Sequence, residues 1–97
     1  MWPLEEIRAE LRAMLPELRA RWPIARLGVF GSYVRGEQDQ DSDLDLLVDL
    51  DRPVSLFTFL EMEEEIGRCL GLRVEMVTRP ALRPYIGDSI LRELVPV

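Results

Sequence analysis

The spacing of apolar positions changes several times along the chain, and each change marks an element. Leu4, Ile7, Leu11, Met14 and Leu15 recur every three or four residues, the period of one helical face, with Pro3 at the first turn. Pro16 interrupts that spacing, so a second short helical piece is expected over residues 18–22, closed by Pro23. Residues 24–30 form a compact apolar run, which reads as a buried strand ended by Gly31. Residues 36–42 are rich in Gly, Asp, Gln and Ser and read as a loop. Over residues 44–50 the period is two. Leu44, Leu46, Val48 and Leu50 take one face, and Asp43, Asp45, Leu47 and Asp49 take the other. Pro53 and Ser55 open a further helix, with Ser55 the candidate N-cap. Phe59, Met62, Ile66 and Cys69 form its apolar stripe, and Gly71 is the candidate residue just past its end. Residues 73–77 read as a third strand, in which Val74 and Met76 share the parity of Leu72 and Glu75 faces the other way. The segment after Thr78 is Pro-rich through Pro84, and Ile86, Ile90, Leu91 and Leu94 predict a last helix packed on the sheet. With a helical turn after Gly31, the order is α-β-α-β-α-β-α, an α+β fold of α/β-like character on a small sheet.

Composition narrows what such a fold can do. Ninety-seven residues support one modest core, because chains of this size bury roughly 60–70% of their unfolded surface, and a single domain over residues 1–97 is expected. All twelve basic residues are Arg; Lys, His and Asn are absent. That removes imidazole metal sites, Ser–His and Cys–His pairs, a P-loop lysine and Schiff-base chemistry. The lone cysteine, Cys69, cannot form an intrachain disulfide, so a reducing cytoplasm is the default compartment. No apolar run approaches the roughly 20 residues of a membrane span, and the acidic start is unlike a signal peptide. A net charge of −6 argues against direct binding of nucleic acid or of an anionic membrane. Carboxylates, hydroxyls, backbone amides and arginine remain, a set suited to metal-assisted phosphoryl chemistry.

Three groups could carry that chemistry. Asp43 and Asp45 lie two apart on a strand, so their carboxylates share a face with Cα atoms roughly 6.6 Å apart and could converge on divalent cations. The plain alternative is the solvated face of an edge strand. Gly31-Ser32, at a strand-to-helix turn, would let backbone amides and a hydroxyl hold phosphate oxygens, with Arg35 one turn further on. Equally, Gly-Ser is an ordinary turn, and Arg35 could pair with Glu37 or Asp39. Glu75 could join the two aspartates if the third strand lies beside the second. It would then bind metal or accept the proton of an attacking hydroxyl; otherwise it is an exposed residue paired with Arg73 or Arg79. Elsewhere, Trp2, Trp22, Phe57, Phe59 and Met62 are expected in the core or on a partner. Glu63 to Glu65 are expected on a solvated helix face, and Cys69 as a small buried apolar residue.

Taken together, Gly31-Ser32-Tyr33-Val34-Arg35-Gly36 and Ser42-Asp43-Leu44-Asp45-Leu46-Leu47-Val48 resemble the GSxxRG…SDxDLxV signature of the minimal nucleotidyltransferases, within the DNA polymerase β-type superfamily. The resemblance covers essentially the whole chain. It implies the nucleotidyltransferase fold, a small mixed sheet of three to four strands packed against helices. It also implies a two-metal Mg²⁺ site on Asp43, Asp45 and Glu75, these three acids being the catalytic set. Gly31, Ser32, Arg35 and Ser42 would face the phosphates of a nucleoside triphosphate, ATP being the expected one. The family's third acid is usually Asp, and here it is Glu75, one methylene longer. The partner implied is a HEPN-domain protein, with this chain as the antitoxin that transfers AMP to one of its hydroxyls, in a possible homo- or hetero-oligomer. Two other readings are a module that neutralises the HEPN protein by contact alone and a transferase of small molecules such as antibiotics. Residues 37–51 hold seven acids and no arginine, a charge of −7, while the rest of the chain comes to +1. The acidity is therefore local to the two aspartates, where it would attract Mg²⁺ and repel bare nucleotide.

Overall fold

The computed structural model describes residues 2–82 and 84–97, the side chains of residues 84–86 excepted. Ile7, Leu11, Leu15 and Leu18 are the buried stripe of one continuous helix, α1 (Leu4–Arg21). The break expected at Pro16 does not occur. Proline removes one backbone donor, but Pro16 faces solvent, and the stripe continues on either side of it through Leu15, Leu18 and Trp22 into the core. The helix ends where Trp22 turns extended, and strand β1 (Ile24–Phe30) begins two residues later.

One turn of helix, α2 (Ser32–Arg35), then leads through a loop to β2 (Leu44–Leu50). Helix α3 (Leu56–Leu70) crosses over to β3 (Val74–Val77), a 3-10 turn follows over Arg79–Ala81, and α4 (Pro84–Glu93) leads to β4 (Val95–Pro96). The sheet order is β3-β2-β1-β4, with β2 and β3 parallel and the other pairs antiparallel. This is the mixed α+β architecture expected. β4 is two residues long and contains Pro96, so no alternation announces it.

The parity read along β2 holds, and Leu44, Leu46 and Val48 are fully buried in the core with Ile7, Leu11, Met62 and Ile66. Leu47, of the opposite parity, is buried too, so the second face of the sheet is also covered there. On that face Leu94 packs so tightly that a Cβ on Gly28 would stand 2.7 Å from its Cδ1.

Helix α3 begins and ends as expected. Ser55 Oγ accepts the Thr58 N–H at 3.1 Å, and Gly71 takes the left-handed conformation at φ 68°. Two expectations on α3 fail, the place of Cys69 and the solvation of the acidic run. Its buried stripe runs Met62, Ile66, Leu70, and Cys69 lies one position off it, exposed, with Sγ 3.5 Å from Glu65 Oε1. Phe57 is 84% exposed, whereas Met62 and Trp22 are in the core and Trp2 and Phe59 pack against it. The acidic run is not uniformly solvated. Glu63 accepts the Met76 N–H at 2.8 Å, capping the outer edge of β3, and Glu65 pairs with Arg68 and Arg21. On α4 Ile90 is half-buried and Leu91 exposed, while the side chain of Ile86 lies outside the described residues. No helix among the described residues is long and apolar enough to cross a membrane.

Candidate active site

Gly31 ends β1 at φ 83°, ψ −154°, a combination that is essentially restricted to glycine. The residue is also the point where β2 comes closest to the turn. A Cβ on Gly31 would collide with Asp45 Oδ2 and lie 3.0 Å from Asp45 Cγ. Glycine therefore does two things here: it supplies the backbone conformation and leaves room for a carboxylate. The N–H groups of Val34 and Arg35 both donate to the Gly31 carbonyl, at 3.0 and 3.3 Å. Tyr33 is buried, and its phenol is raised above the usual value by burial and then by Asp39 and Asp43. Gly36 at φ 71° turns the chain out of α2, and the Glu37 N–H donates to the Ser32 carbonyl at 2.9 Å.

Asp45 sits in the middle of this arrangement. It is paired in register with Phe30 on β1 and with Glu75 on β3, so the period-two reading and the strand adjacency both hold. Its carboxyl is pushed up from 3.8 to about 6, first by burial, then by the charges of Glu75 and Asp43, with Arg35 opposing and Glu93 adding. Asp43 stands just before β2, fixed to β3 by the Leu44 N–H, which donates to the Arg73 carbonyl at 2.8 Å. Arg73 Nε lies 3.0 Å from Asp43 Oδ1 as a charge, but that oxygen accepts no hydrogen bond and is closed to solvent. Glu75 is exposed and makes no ion pair or hydrogen bond among the described residues. The two arginines expected as its partners on the plain reading are engaged elsewhere, Arg73 with Asp43 and Arg79 with Asp49.

The Asp43 oxygen, closed to solvent and faced by the Arg73 charge without a hydrogen bond, lies next to a carboxyl crowded by other acids, and a divalent cation would suit these oxygens in place of that arginine. Among the described residues no group of three or more acidic, His or Cys side chains is placed to hold a metal ion. Mg²⁺ does not need one. It is commonly held by one or two carboxylates, with waters and phosphates completing its shell. Asp43 and Asp45 fit that pattern, with Glu75 at the open side.

The phosphate-facing candidates are arranged differently from one another. Ser32 opens α2 beside Asp45, half-buried. Ser42 Oγ is tied into its own loop, accepting the Asp39 N–H at 3.0 Å and donating to Asp39 Oδ1 at 3.3 Å. Arg35 Nε pairs with Glu37 at 3.1 Å, one of the partners expected on the plain reading. Its Nη1 donates to both oxygens of Glu93, at 3.2 and 3.0 Å. Glu93 also accepts the Gly31 N–H at 2.8 Å. Nothing in the sequence marks Glu93, the last residue of α4. Its partners lie 58 and 62 positions earlier, and only the folded chain brings them together.

Residues 11–97 match the model of the nucleotidyltransferase domain. The chain is 48% identical over 97 residues to the protein adenylyltransferase MntA of Thermococcus cleftensis, covering 100% of this chain and 98% of that one. A solved minimal nucleotidyltransferase superposes with a TM-score of 0.81 at 38% identity, covering 99% of this chain and 97% of the other. A chain from the complex of a tri-AMPylated Shewanella oneidensis HEPN toxin with its MNT antitoxin shares the fold, with a TM-score of 0.69 at 15% identity over 93% of this chain and 70% of that one.

Proposed function

The chain belongs to the nucleotidyltransferase domain family, as a minimal nucleotidyltransferase, and from that premise we propose that it transfers AMP from ATP to a hydroxyl of a partner protein, the hydroxyl oxygen bonding to the α-phosphorus as the α–β anhydride bond breaks and pyrophosphate leaves. The observation that carries the reading is the register of Glu75 beside Asp45, with Asp43 two residues before it and the Gly31 turn directly against the Asp45 carboxylate. Asp43 and Asp45 would hold Mg²⁺ in a two-metal site, with Glu75 as the third acid. Bound there, the metal would offset phosphate charge and ease deprotonation of the acceptor hydroxyl. The turn at Gly31-Ser32 would seat the triphosphate, with Arg35 adding a guanidinium donor. Glu75, exposed and in register beside Asp45, would take the proton of the incoming acceptor. The charge of −7 over residues 37–51 favours nucleotide that arrives already paired with its cation.

The acceptor we propose is a HEPN-domain protein, with this chain as its antitoxin and the cytoplasm as the compartment. Support comes from the naming of the 48% identical relative as a protein adenylyltransferase and from the AMPylated HEPN toxin in the complex that shares the fold. The test is incorporation of label from α-labelled ATP into a candidate HEPN partner in the presence of Mg²⁺. Wild type is expected to label the partner, and Asp43→Ala and Asp45→Ala to leave it unlabelled. Equal labelling by both variants and wild type would sink the assignment. A second reading, neutralisation by contact alone, is favoured by one observation. Leu56 and Phe57 stand 72% and 84% exposed on α3, apolar surface available to a partner. It is distinguished by whether the two aspartate variants still silence the partner's toxicity.

A further inference from the structure

Glu93 is bound to the proposed nucleotide turn more firmly than a surface acid needs to be. One of its oxygens, Oε1, accepts both the Gly31 N–H at 2.8 Å and Arg35 Nη1 at 3.2 Å, while Oε2 takes Arg35 Nη1 at 3.0 Å. Its side chain is 22% exposed, against 61% for Glu37, the other partner of Arg35. Exposed pairs contribute little and partly desolvated ones more, so Glu93 dominates the placing of the guanidinium. Its own position is set by the backbone on either side of the turn. Two residues further on, Val95 pairs with Val29 in the sheet. Between them Leu94 packs in van der Waals contact on Gly28. The end of α4 is therefore registered against β1 within two residues of Glu93, and β1 leads straight into Gly31.

We propose that Glu93 is a positioning residue of the transfer site. It holds the Gly31 amide and the Arg35 guanidinium in one fixed relation before any nucleotide binds. The inference rests on the reading of Gly31, Ser32 and Arg35 as the phosphate-binding turn. With Nε on Glu37 and Nη1 on Glu93, the edge of Arg35 left for a phosphate is Nη2, which has no partner among the described residues. The Gly31 N–H is likewise committed, to Glu93.

The test is titration of ATP with Mg²⁺ into wild type, Glu93→Gln, Glu37→Gln, Arg35→Gln and the Arg35→Gln/Glu93→Gln pair. Glutamine keeps the shape of Glu93 and an acceptor for Gly31 but drops its charge on Arg35. Losing such an orienting partner is expected to weaken binding roughly 10- to 100-fold. Glu37→Gln is expected to change it by less than about fivefold, the ceiling for an exposed pair. Because Glu93 acts through Arg35, the double variant is expected to bind no worse than Arg35→Gln alone. Hydrogen exchange on wild type decides the matter even where a variant unfolds. The Gly31 amide should be protected equally with and without ATP and Mg²⁺. Glu93→Gln binding like wild type, additive losses in the double variant, or release of the Gly31 amide when ATP binds each overturns the proposal. The last outcome would make Glu93 an occupant of the phosphate donors instead of their support. A wild type that binds no ATP overturns the underlying reading as well.

Discussion

Replacing Gly31 with alanine separates two demands that the site makes on one residue. The first is conformational. At φ 83°, ψ −154° a side chain costs about 1–3 kcal/mol. The second is spatial. The new methyl would collide with Asp45 Oδ2 and stand 3.0 Å from Cγ and 3.2 Å from Cβ of the same residue. Swinging the carboxylate tip aside relieves only the first of these contacts, so χ1 of Asp45 must turn as well to move Cγ, adding about 0.5–1.5 kcal/mol, while the 3.2 Å contact with Cβ is left to a small backbone shift. Gly31→Ala should therefore lower stability by about 1.5–4.5 kcal/mol in urea denaturation. Gly36→Ala is the control. Its φ is 71°, yet nothing lies within 4 Å of its Cβ position, so only the left-handed backbone cost of about 1–2 kcal/mol applies. The two variants should differ more in function than in stability. A displacement near 1 Å at a reacting centre costs about a hundredfold in rate, so Gly31→Ala should lose transfer while Gly36→Ala keeps most of it. If Gly31→Ala is no less stable than Gly36→Ala and transfers label as well, then Asp45 does not depend on the space at Gly31 and the reasoning fails.

Three further outcomes are expected. Asp45 carries its carboxyl at about 6 in the folded chain against 3.8 when unfolded. Its ionisation therefore weighs on the fold progressively as pH rises between those values and fully above them. In metal-free buffer at pH 7.5, Asp45→Asn should stabilise by about 1 kcal/mol, after allowance for its half-exposed position, and should give no gain at pH 4; an equal gain at both pH values refutes this. Glu63→Ala removes the acceptor for the Met76 N–H and should cost about 1–3 kcal/mol in urea, with faster exchange at the Met76 amide. Met62→Ala should cost about 2–5 kcal/mol while Phe57→Ala stays within about 0.5 kcal/mol, and comparable losses would contradict their burial of 0% and 84% exposure.

Strands β1 and β2 were legible to the residue because each is a seven-residue apolar or alternating run with glycine, proline or loop residues at its ends. Ser55 and Gly71 marked the ends of α3 by local chemistry that depends on nothing distant. The central part of the site followed from the same local signals. Parity put Asp43 and Asp45 on one face, and the crossover through α3 brought Glu75 into register with Asp45. What escaped is what tertiary contact decides. Pro16 does not break α1, because core packing on both sides outweighs the missing donor. The choice between Cys69 and Leu70 as the last residue of the stripe is a rotation of one position about the helix axis, and the sheet makes that choice. Glu63 read as a solvated acid and nothing in the sequence marked Glu93, and only strand β3 and the Gly31 turn give them partners.

The spread of the site along the chain also bears on how the molecule matures. The β1–β2 pair is antiparallel and joined locally, so it can close early. The β2–β3 pair is parallel and must wait for the α3 crossover, and the Glu93 contact spans 62 positions and must wait longer still. A chain that has formed only the first two strands already presents Asp45 to Gly31, but with neither Glu75 alongside nor Arg35 held in place. On the proposed reading, competence for nucleotide would then be a property of the last folding step, and a partly folded chain would be silent instead of wrongly active.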